Sequence, residues 1–471
     1  MKLGRFLVSA VSAFAVVACG GGSGTDNRTG GKPSPTPTSQ PPAANDCSLA
    51  ARKTWVSQQL NEYYLYPNLI DNTVDPAAYS DLQSYIDALV APARAEGRDN
   101  FFTYITSIEE ENELINSGSN AGFGIRLAFD ENDRLFVTEA FENAPGFSAG
   151  LDRGVQITAI QGRSVAARLA DGTLDSSLGP PEPGVTRTFQ IIDNSGVSRE
   201  ISVTKAEYNL DPVSDRYGVR IFNDGGRQVG YLNLRTFIAE TAEDDLRAAF
   251  AQFRSAGVTE VILDLRYNGG GLVRLAELLG DLLARNRTNQ VFSRTEFSEA
   301  LSSENSTYRF QSQPEAIDVT KLAVIGTRST ASASELVTNA FIPYLGDNLA
   351  LIGSNTYGKP VGQIAVDREA CDDRFRIVAF RTVNADGNGD YFGGLGSVVP
   401  NFCRADDEIA VQLGNATEDS ISTALDFLGG RGCPATASVP GQQGARSVAP
   451  TLEALQPARP NRLQREAPAL Y

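Results

Sequence analysis

The chain has 471 residues, of which 41 are Lys or Arg, 57 are Asp or Glu and none is His, so its formal net charge is −16. This acidic excess leaves no basic stripe for phosphate contacts, which argues against a nucleic-acid partner. The absence of histidine excludes a Ser-His-Asp or Cys-His catalytic centre and an HExxH metal site. Any acid–base chemistry must therefore use a carboxylate, Lys, Tyr or Cys side chain.

Residues 1–19 have the pattern of an export signal. A basic start precedes a mostly apolar run, Phe6–Ala18, that is too short to span a bilayer as a helix. A small residue, Cys19 and three glycines then follow, and this order resembles the lipobox of bacterial lipoproteins. The resemblance implies an acylated Cys19, and the alternative is a plain cleaved signal with an incidental cysteine. Residues 20–46, rich in Gly, Pro, Ser and Thr, are typical of a flexible tether.

These features predict an exported protein, lipid-anchored to a bacterial membrane and facing the periplasm. In that oxidising space the four remaining cysteines favour two disulfides, and their spacing matches no zinc pattern. Four cysteines allow three pairings. Of these we favour Cys371 with Cys403, and Cys47 with Cys433, the second bridge joining the start of the folded body to its end.

In chain order, the periodicity of apolar residues predicts a multidomain α/β protein. Helical spacing predicts a small N-terminal helical domain at 47–117, and short alternating strands predict a β-rich module at 118–207. At 208–430, strands alternate with helices, which indicates an α/β sheet with its ligand sites at strand ends. The remainder, 431–471, contains six prolines and little periodicity, so it is expected to be a disordered tail.

Three segments of the α/β region carry residues suited to chemistry. In the first, Asp264–Leu272, a buried strand ends in a glycine turn whose N–H groups can face an oxyanion, although a tight turn needs the same glycines. In the second, Ser332 begins a helix, where the helix field favours an alkoxide. The same hydroxyl is equally typical of an N-cap, with Glu335 completing a capping box.

The third segment, Thr356–Gln363, contains Lys359 among Gly, Pro and Val residues. A lysine there is also compatible with an ordinary surface loop. Because the chain has no histidine, a deprotonated lysine is the natural base for a serine. Its reference pKa of about 10.4 must then fall by several units, which burial can provide.

Together these segments resemble the C-terminal processing peptidases, which are serine-lysine proteases with a PDZ domain before a ClpP/crotonase-type α/β catalytic domain. The resemblance covers nearly all of residues 48–430. It rests on the order of six segments, which are Trp55–Tyr66, Gly122–Ile125, Val229–Leu232, Asp264–Gly271, Ser332–Glu335 and Tyr357–Lys359 with Gln363. It implies a cofactor-free, metal-free endopeptidase whose substrates are proteins or peptides with free C-termini.

The resemblance also implies individual roles. Ser332 matches the nucleophile, Lys359 the general base and Gln363 the amide that orients the lysine. The oxyanion hole would be formed by N–H groups of the residue after the nucleophile and of the glycine turn, which are Ala333, Gly270 and Gly271. The PDZ loop that holds a substrate's C-terminal carboxylate would be formed by Gly122, Phe123, Gly124 and Ile125.

The chain departs from the family pattern in two places. Gly154-Val155 stands where Gly-Asp is usual before a PDZ strand, and the gap between Ser332 and Lys359 is about two residues longer than expected. Ser334 therefore remains the alternative nucleophile. Two other functions also stay open, a non-catalytic PDZ receptor on a peptidase scaffold and an esterase or amidase acting on small molecules. The sequence leaves the oligomeric state undetermined.

Overall fold

The computed structural model describes residues 46–433, 452–457 and 459–471. The predicted signal and lipobox, with Cys19, lie outside the described residues, as does the predicted tether except for Asp46. In the region of the predicted helical domain, α1 begins after Ser48, whose hydroxyl accepts a hydrogen bond from the Ala51 N–H at 3.3 Å. The elements of this region are α1 (Leu49–Tyr63), α2 (Leu82–Leu89), α3 (Ala91–Ala95), β1 (Tyr104–Ser107) and α4 (Ile108–Ser117).

A β-rich region follows in the chain. Its elements are β2 (Ser119–Gly122), β3 (Ile125–Phe129), β4 (Leu135–Ala140), α5 (Pro145–Ser148), β5 (Gln156–Ile160), β6 (Arg163–Ser164), α6 (Val165–Ala170), α7 (Leu174–Leu178), β7 (Thr186–Ile192), β8 (Ser198–Thr204) and β9 (Ala206–Asn209). Strands β3, β4, β5, β7 and β8 are neighbours in an antiparallel sheet, to which β6 adds beside β5. Strands β2 and β9 form a separate pair.

The α/β region alternates strands and helices. Its elements are β10 (Val219–Asp224), β11 (Arg227–Asn233), α8 (Ala242–Ser255), β12 (Glu260–Asp264), α9 (Val273–Leu283), β13 (Val291–Phe297), β14 (Ser306–Arg309), β15 (Lys321–Gly326), α10 (Ala333–Leu345), β16 (Leu349–Gly353), β17 (Val361–Arg368), β18 (Asp373–Val383), β19 (Asn401–Arg404) and α11 (Asp419–Leu428). A six-stranded sheet has the order β10-β11-β12-β15-β16-β19, parallel from β11 onward.

Both faces of the six-stranded sheet are covered, which explains the continuous apolar runs of its central strands. On β12, Val261 and Leu263 pack into a cluster with α8, α9 and α10, whereas Ile262 points to the other face and packs with residues of α11. The loops that leave the carboxyl ends of the parallel strands therefore lie together at one edge of the sheet, where α/β proteins place their sites.

A second sheet lies beside this edge. Strand β18 pairs with β1, β13 and β17, and β14 adds beside β13, all antiparallel. Residues of α1, α2 and α3 pack against it, with Val56 and Leu60 of α1 in one cluster with Phe375 and Ile377 of β18. This sheet carries β17, which begins at Val361, two residues after Lys359.

The prediction of a disordered tail was wrong for residues 452–457 and 459–471, here called the C-terminal segment. It contains β20 (Glu453–Ala454), which pairs with β3, and α12 (Arg462–Glu466). Despite its prolines, the segment buries enough apolar surface to fold against the body, a balance that local periodicity does not report. Its buried apolar residues are Leu463, Ala467, Ala469, Leu470 and Tyr471.

The predicted disulfide pairing was also wrong. Cys47 is bonded to Cys371, and Cys403 to Cys433, with Cα–Cα distances of 5.5 and 5.1 Å. The turn between β17 and β18 brings Cys371 to the start of α1, whereas Cys403 lies on β19 beside the end of α11. Each bridge therefore joins two segments that the fold brings together. None of the helices in the described residues is long and apolar enough to cross a membrane.

Candidate active site

The three chemistry-bearing segments meet at the edge of the six-stranded sheet. They form the loops that follow β12, β15 and β16. The Ala331 N–H donates to the Asn268 carbonyl at 3.1 Å, and the Tyr357 N–H donates to the Thr330 carbonyl at 2.9 Å. These backbone bonds tie the second loop to the first and the third.

Ser332 occupies a strained position immediately before α10. Its φ is 55° and its ψ is −114°, a conformation that non-glycine residues rarely adopt. Strain of this kind is typical of a nucleophile held on a sharp turn between a strand and a helix. Ser332 is partly exposed, whereas Ser334 is fully buried and its hydroxyl donates to the Asn268 carbonyl at 3.0 Å. Of the two serines, Ser332 is the one exposed to solvent.

Lys359 lies in the loop between β16 and β17, enclosed by Phe102, Gln363 and the C-terminal segment. Its Nζ is 3.4 Å from Gln363 Oε1 and 5.2 Å from the centre of the Phe102 ring. Burial lowers the pKa of Lys359 from its usual value of 10.5, and the nearby Glu466 carboxylate opposes this shift. The lowered pKa increases the neutral fraction of the amine, the form that can accept a proton.

Gln363 is aimed at Lys359 by an irregularity in β17. The pairing of β17 with β18 slips between Gly362 and Gln363, and such bulges redirect side chains. The Gln363 amide N–H group also donates to the Phe102 carbonyl, which leaves its oxygen facing the lysine. The structure therefore brings Gln363 and Lys359 together.

Glu335, which the sequence indicated only as part of a capping box, connects the nucleophile and lysine segments. Its Oε2 accepts hydrogen bonds from the Ser332 N–H at 3.0 Å and the Lys359 N–H at 2.8 Å. Its Oε1 accepts from the Thr356 hydroxyl at 2.6 Å and the Gly358 N–H at 2.8 Å. Burial raises the pKa of Glu335, and the four donors act against this rise by favouring the carboxylate. One buried side chain thus sets the spacing of both segments.

The glycine turn approaches Ser332 closely. A Cβ on Gly270, whose φ is 113°, would lie 2.8 Å from the Ser332 Cβ, so only glycine fits there. The Gly270 N–H donates to the Asn268 side chain at 3.0 Å, and Gly271 pairs with Phe237. The Gly269 N–H, in the same turn, donates to the Glu466 carbonyl at 3.0 Å.

Ala333 is the first residue of α10, and the leading N–H groups of a helix have no partner within it. The Ala333 position therefore suits an oxyanion donor beside Ser332. Among the described residues, no three His, Cys, Asp or Glu side chains lie close enough to hold a metal ion. The chemistry available at this edge is that of a hydroxyl, an amine and backbone N–H groups.

Comparison with known proteins agrees with this geometry. Residues 228–391 match the model of peptidase family S41. The matched segment is therefore similar to this peptidase family. Ser332, Glu335, Lys359 and Gln363 all lie inside the matched segment, so the S41 match contains the candidate site.

Two staphylococcal proteins named "Probable CtpA-like serine protease" are similar in sequence to this chain. The Staphylococcus aureus N315 protein is 25% identical over 271 residues, 57% of this chain and 50% of the relative. The Staphylococcus epidermidis protein is 26% identical over 321 residues, 68% of this chain and 58% of the relative. The chain thus spans between half and three fifths of the length of these curated relatives.

A solved structure from Bacteroides fragilis, assigned to the S41 proteases, shares the fold. Its TM-score is 0.62 at 24% sequence identity, and the match covers 80% of this chain and 97% of that chain. This likeness extends beyond the segment that matches the S41 model.

The loop Gly122–Ile125 lies outside the S41 match, in the β-rich region. The N–H groups of Gly124 and Ile125 donate to the carbonyl oxygen of Tyr471, the last residue of the sequence, at 2.8 and 3.3 Å. The loop thus presents two N–H groups to one oxygen.

Buried ion pairs join the β-rich region to the α/β region. The Arg153 guanidinium donates to the Tyr267 hydroxyl at 3.0 Å and pairs with Asp407 at 2.6 Å. Tyr267 belongs to the loop that follows β12 and also donates to Asp407. Arg266, in the same loop, pairs with Asp264, Asp407 and Glu418 at 2.7–3.0 Å. The β-rich region therefore touches the loop that carries the glycine turn.

Proposed function

We propose that this chain is an exported, membrane-tethered serine endopeptidase that binds C-terminal tails through a PDZ domain and hydrolyses peptide bonds with a Ser332–Lys359 dyad. The observation that carries the proposal is the pair of hydrogen bonds from the Ser332 and Lys359 N–H groups to one Glu335 oxygen, at 3.0 and 2.8 Å. A hydroxyl on a strained helix start and an amine of lowered pKa are thereby held in adjacent segments.

In the proposed reaction, neutral Lys359 takes the proton of the Ser332 hydroxyl as its oxygen attacks the scissile carbonyl carbon. The oxyanion that forms is stabilised by the Ala333 N–H and an N–H of the glycine turn. As the intermediate collapses, the C–N bond breaks, and protonated Lys359 gives its proton to the leaving amine. An acyl-enzyme on Ser332 remains. Lys359 then deprotonates a water molecule, which releases the acyl group and restores the serine.

Gln363 has an orienting role in this proposal. Its amide oxygen accepts from the lysine Nζ, and its amide N–H is engaged by the Phe102 carbonyl, so the lysine stem has a fixed direction. Loss of Gln363 would cost orientation rather than the base itself. The four hydrogen bonds to Glu335 serve the same end for the backbone.

Substrate delivery is assigned to the loop Gly122–Ile125 and the adjacent strand β3, acting as a PDZ domain. Two N–H groups of this loop converge on one oxygen, and β3 accepts a further strand at its edge. A substrate tail would add to β3 while its carboxylate is held by the loop. The free C-terminus would therefore act mainly in binding.

Location is proposed from the N-terminal sequence. A lipobox-like Cys19 would be acylated and would anchor the chain to a bacterial membrane, facing the periplasm. Two disulfides, Cys47–Cys371 and Cys403–Cys433, are consistent with that oxidising space. Mass spectrometry of membrane-extracted protein should find the mature chain starting at acylated Cys19. A soluble, unmodified mature protein would contradict the anchor.

The decisive experiment combines an active-site serine reagent with a quenched peptide substrate. A fluorophosphonate should label Ser332 in the native chain, and labelling should be lost in Lys359→Ala. The peptide should be cleaved when its C-terminus is free, and amidation should raise KM with little change in kcat. A chain that binds the peptide without labelling or cleavage is the PDZ receptor, and one that hydrolyses only small esters is the esterase or amidase.

A further inference from the structure

The C-terminal segment follows the edge of β3 in two pieces. Glu453–Ala454 pairs antiparallel with Ala128 and Phe129, and the Leu455 N–H donates to the Leu127 carbonyl at 2.9 Å. The chain then leaves the strand, forms α12 and returns. Here the Leu127 N–H donates to the Ala469 carbonyl at 3.1 Å, and the Tyr471 N–H donates to the Ile125 carbonyl at 3.0 Å. The outer edge of β3 is thus occupied by this segment at both of its ends.

Tyr471 fills a pocket at the end of this groove. Only 8% of its surface is exposed, and its ring belongs to the apolar cluster that contains Phe123, Leu178 and Phe189. Its hydroxyl donates to Asp175 Oδ1 at 2.9 Å. The pocket therefore has an apolar wall for a ring and one carboxylate placed for a phenolic O–H. Phenylalanine could fill the wall, but the exposed Asp175 carboxylate would then bond to water instead of the phenolic O–H.

The same segment also covers the catalytic edge. The Gly269 N–H of the glycine turn donates to the Glu466 carbonyl at 3.0 Å. Arg465 lies over the Tyr104 ring at 4.0 Å and donates to the Phe101 carbonyl at 2.6 Å. Arg465, Pro468 and Lys359 line one cavity of about 1170 Å³. A backbone carbonyl of the segment thus occupies a donor of the turn beside Ser332.

Arg126 links the β3 groove to the α/β region. Its fully buried guanidinium donates to the Pro468 carbonyl at 2.8 Å and to the Arg235 carbonyl at 3.2 Å, and it pairs with Glu139 at 2.8 Å. Glu139 in turn pairs with Arg235 at 2.9 Å. One buried network of hydrogen bonds and ion pairs therefore connects the C-terminal segment, the β-rich region and the α/β region.

We propose that the β3 groove selects peptide segments that place a tyrosine side chain against Asp175, and that the C-terminal segment is its resident ligand, which closes the catalytic edge until a substrate tail displaces it. The closure in this proposal rests on the proposed function, because it assumes that the covered edge is catalytic. The occupancy of the groove rests only on the hydrogen bonds and packing described above. A tethered ligand has an effective concentration of about 1 mM. With a Kd of about 0.1 mM for the free segment, roughly one molecule in ten would be open.

The test uses full-length variants and a fluorescein-labelled peptide of residues 462–471. Tyr471→Asp introduces a charge into the apolar pocket beside Asp175 and should release the segment, so fluorophosphonate should label Ser332 about tenfold faster than in the native chain. Adding the peptide should return the rate towards the native value. Glu200→Gln, which changes an exposed carboxylate on β8 that bonds to Gln190, is the matched control and should leave the rate unchanged.

The peptide specificity of the β3 groove is measured by fluorescence anisotropy with the Tyr471→Asp chain. The peptide ending in Tyr should bind roughly fivefold more tightly than the same peptide ending in Phe. Asp175→Ala in that background, which removes the acceptor, should reduce the difference to less than about twofold. Equal affinity for the two peptides in the presence of Asp175 would overturn the proposed selectivity.

The remaining outcomes separate closure from catalysis. Peptide binding with equal labelling rates in the native and Tyr471→Asp chains would refute closure while leaving the proposed function intact. Peptide binding without labelling of Ser332 in any variant would refute the proposed function and support the occupancy of the groove. A peptide that fails to bind the Tyr471→Asp chain below about 1 mM would overturn the inference as a whole.

Discussion

Replacement of Glu335 by glutamine is the most informative perturbation of the site. The carboxylate accepts four hydrogen bonds, at 3.0, 2.8, 2.6 and 2.8 Å, from three N–H groups and the Thr356 hydroxyl. Glutamine keeps one acceptor oxygen and presents N–H groups where the other oxygen stood. The Gly358 N–H would then face another donor. The Thr356 hydroxyl already accepts a hydrogen bond from the Leu395 N–H. Its proton can rotate away, so that its oxygen also accepts from the glutamine N–H group.

The magnitude follows from the groups left unsatisfied. A buried donor without a partner costs about 1–3 kcal/mol. With one or two donors affected, Glu335→Gln should lower the free energy of unfolding by about 2–4 kcal/mol. Displacement of catalytic groups by about 1 Å can cost 10²-fold in rate. Because Glu335 sets the spacing of the Ser332 and Lys359 segments, kcat/KM should fall by about 10²-fold, mostly in kcat.

The assay pairs thermal unfolding with steady-state cleavage of a quenched peptide. The matched control is Glu243→Gln, which changes another glutamate in the first turn of a helix, α8, where it forms an exposed ion pair with Arg247. Exposed pairs contribute about 0–1 kcal/mol, so neither stability nor rate should change much. If Glu335→Gln loses stability but keeps kcat/KM within about twofold, the carboxylate has no positioning role and the reasoning is refuted.

Three further predictions concern the dyad. Lys359→Arg should reduce kcat by about 10²–10⁴-fold, nearly as much as Lys359→Ala, because a guanidinium cannot accept the serine proton; an active arginine variant in the peptide assay would exclude this mechanism. The pH profile of kcat/KM should rise through one ionisation below 10.5, since burial lowers the pKa of Lys359 and the neutral amine is the base; a rate independent of pH across the range from about 6 to 10 would argue against lysine. Ser332→Ala should abolish turnover without loss of stability. Ser334→Ala should retain turnover but lower the free energy of unfolding by about 1 kcal/mol, because its hydrogen bond to the Asn268 carbonyl is lost. The opposite pattern in the two assays would assign the nucleophile to Ser334.

Local sequence patterns were sufficient for much of the α/β region. The alternation of strands and helices expected at 208–430 is present, for example where α10 separates β15 from β16. Such elements are encoded by neighbours two to four residues apart, so periodicity reveals them. The absence of histidine is visible in the sequence itself, and it makes Lys359 a candidate base. The family resemblance was equally readable, because it depends on the order of motifs along the chain.

The sequence did not reveal contacts between residues far apart in the chain. The Cys47–Cys371 bridge spans 324 residues, and no local rule chooses it among three pairings. The function of Glu335 was hidden for the same reason: its capping role is local, but its bonds to Gly358 and Lys359 depend on the turn that returns from β16.

The C-terminal segment shows the division most clearly. By itself, the stretch is rich in proline and poor in periodicity, so its sequence determines only that it cannot form a core alone. Its order comes from partners that the fold supplies: the open edge of β3, the pocket around Tyr471 and the Gly269 N–H. Sequence determined the elements and the chemical groups of this protein. Tertiary structure decided which of those groups meet, because burial and strand pairing depend on surfaces that exist only after the chain has folded.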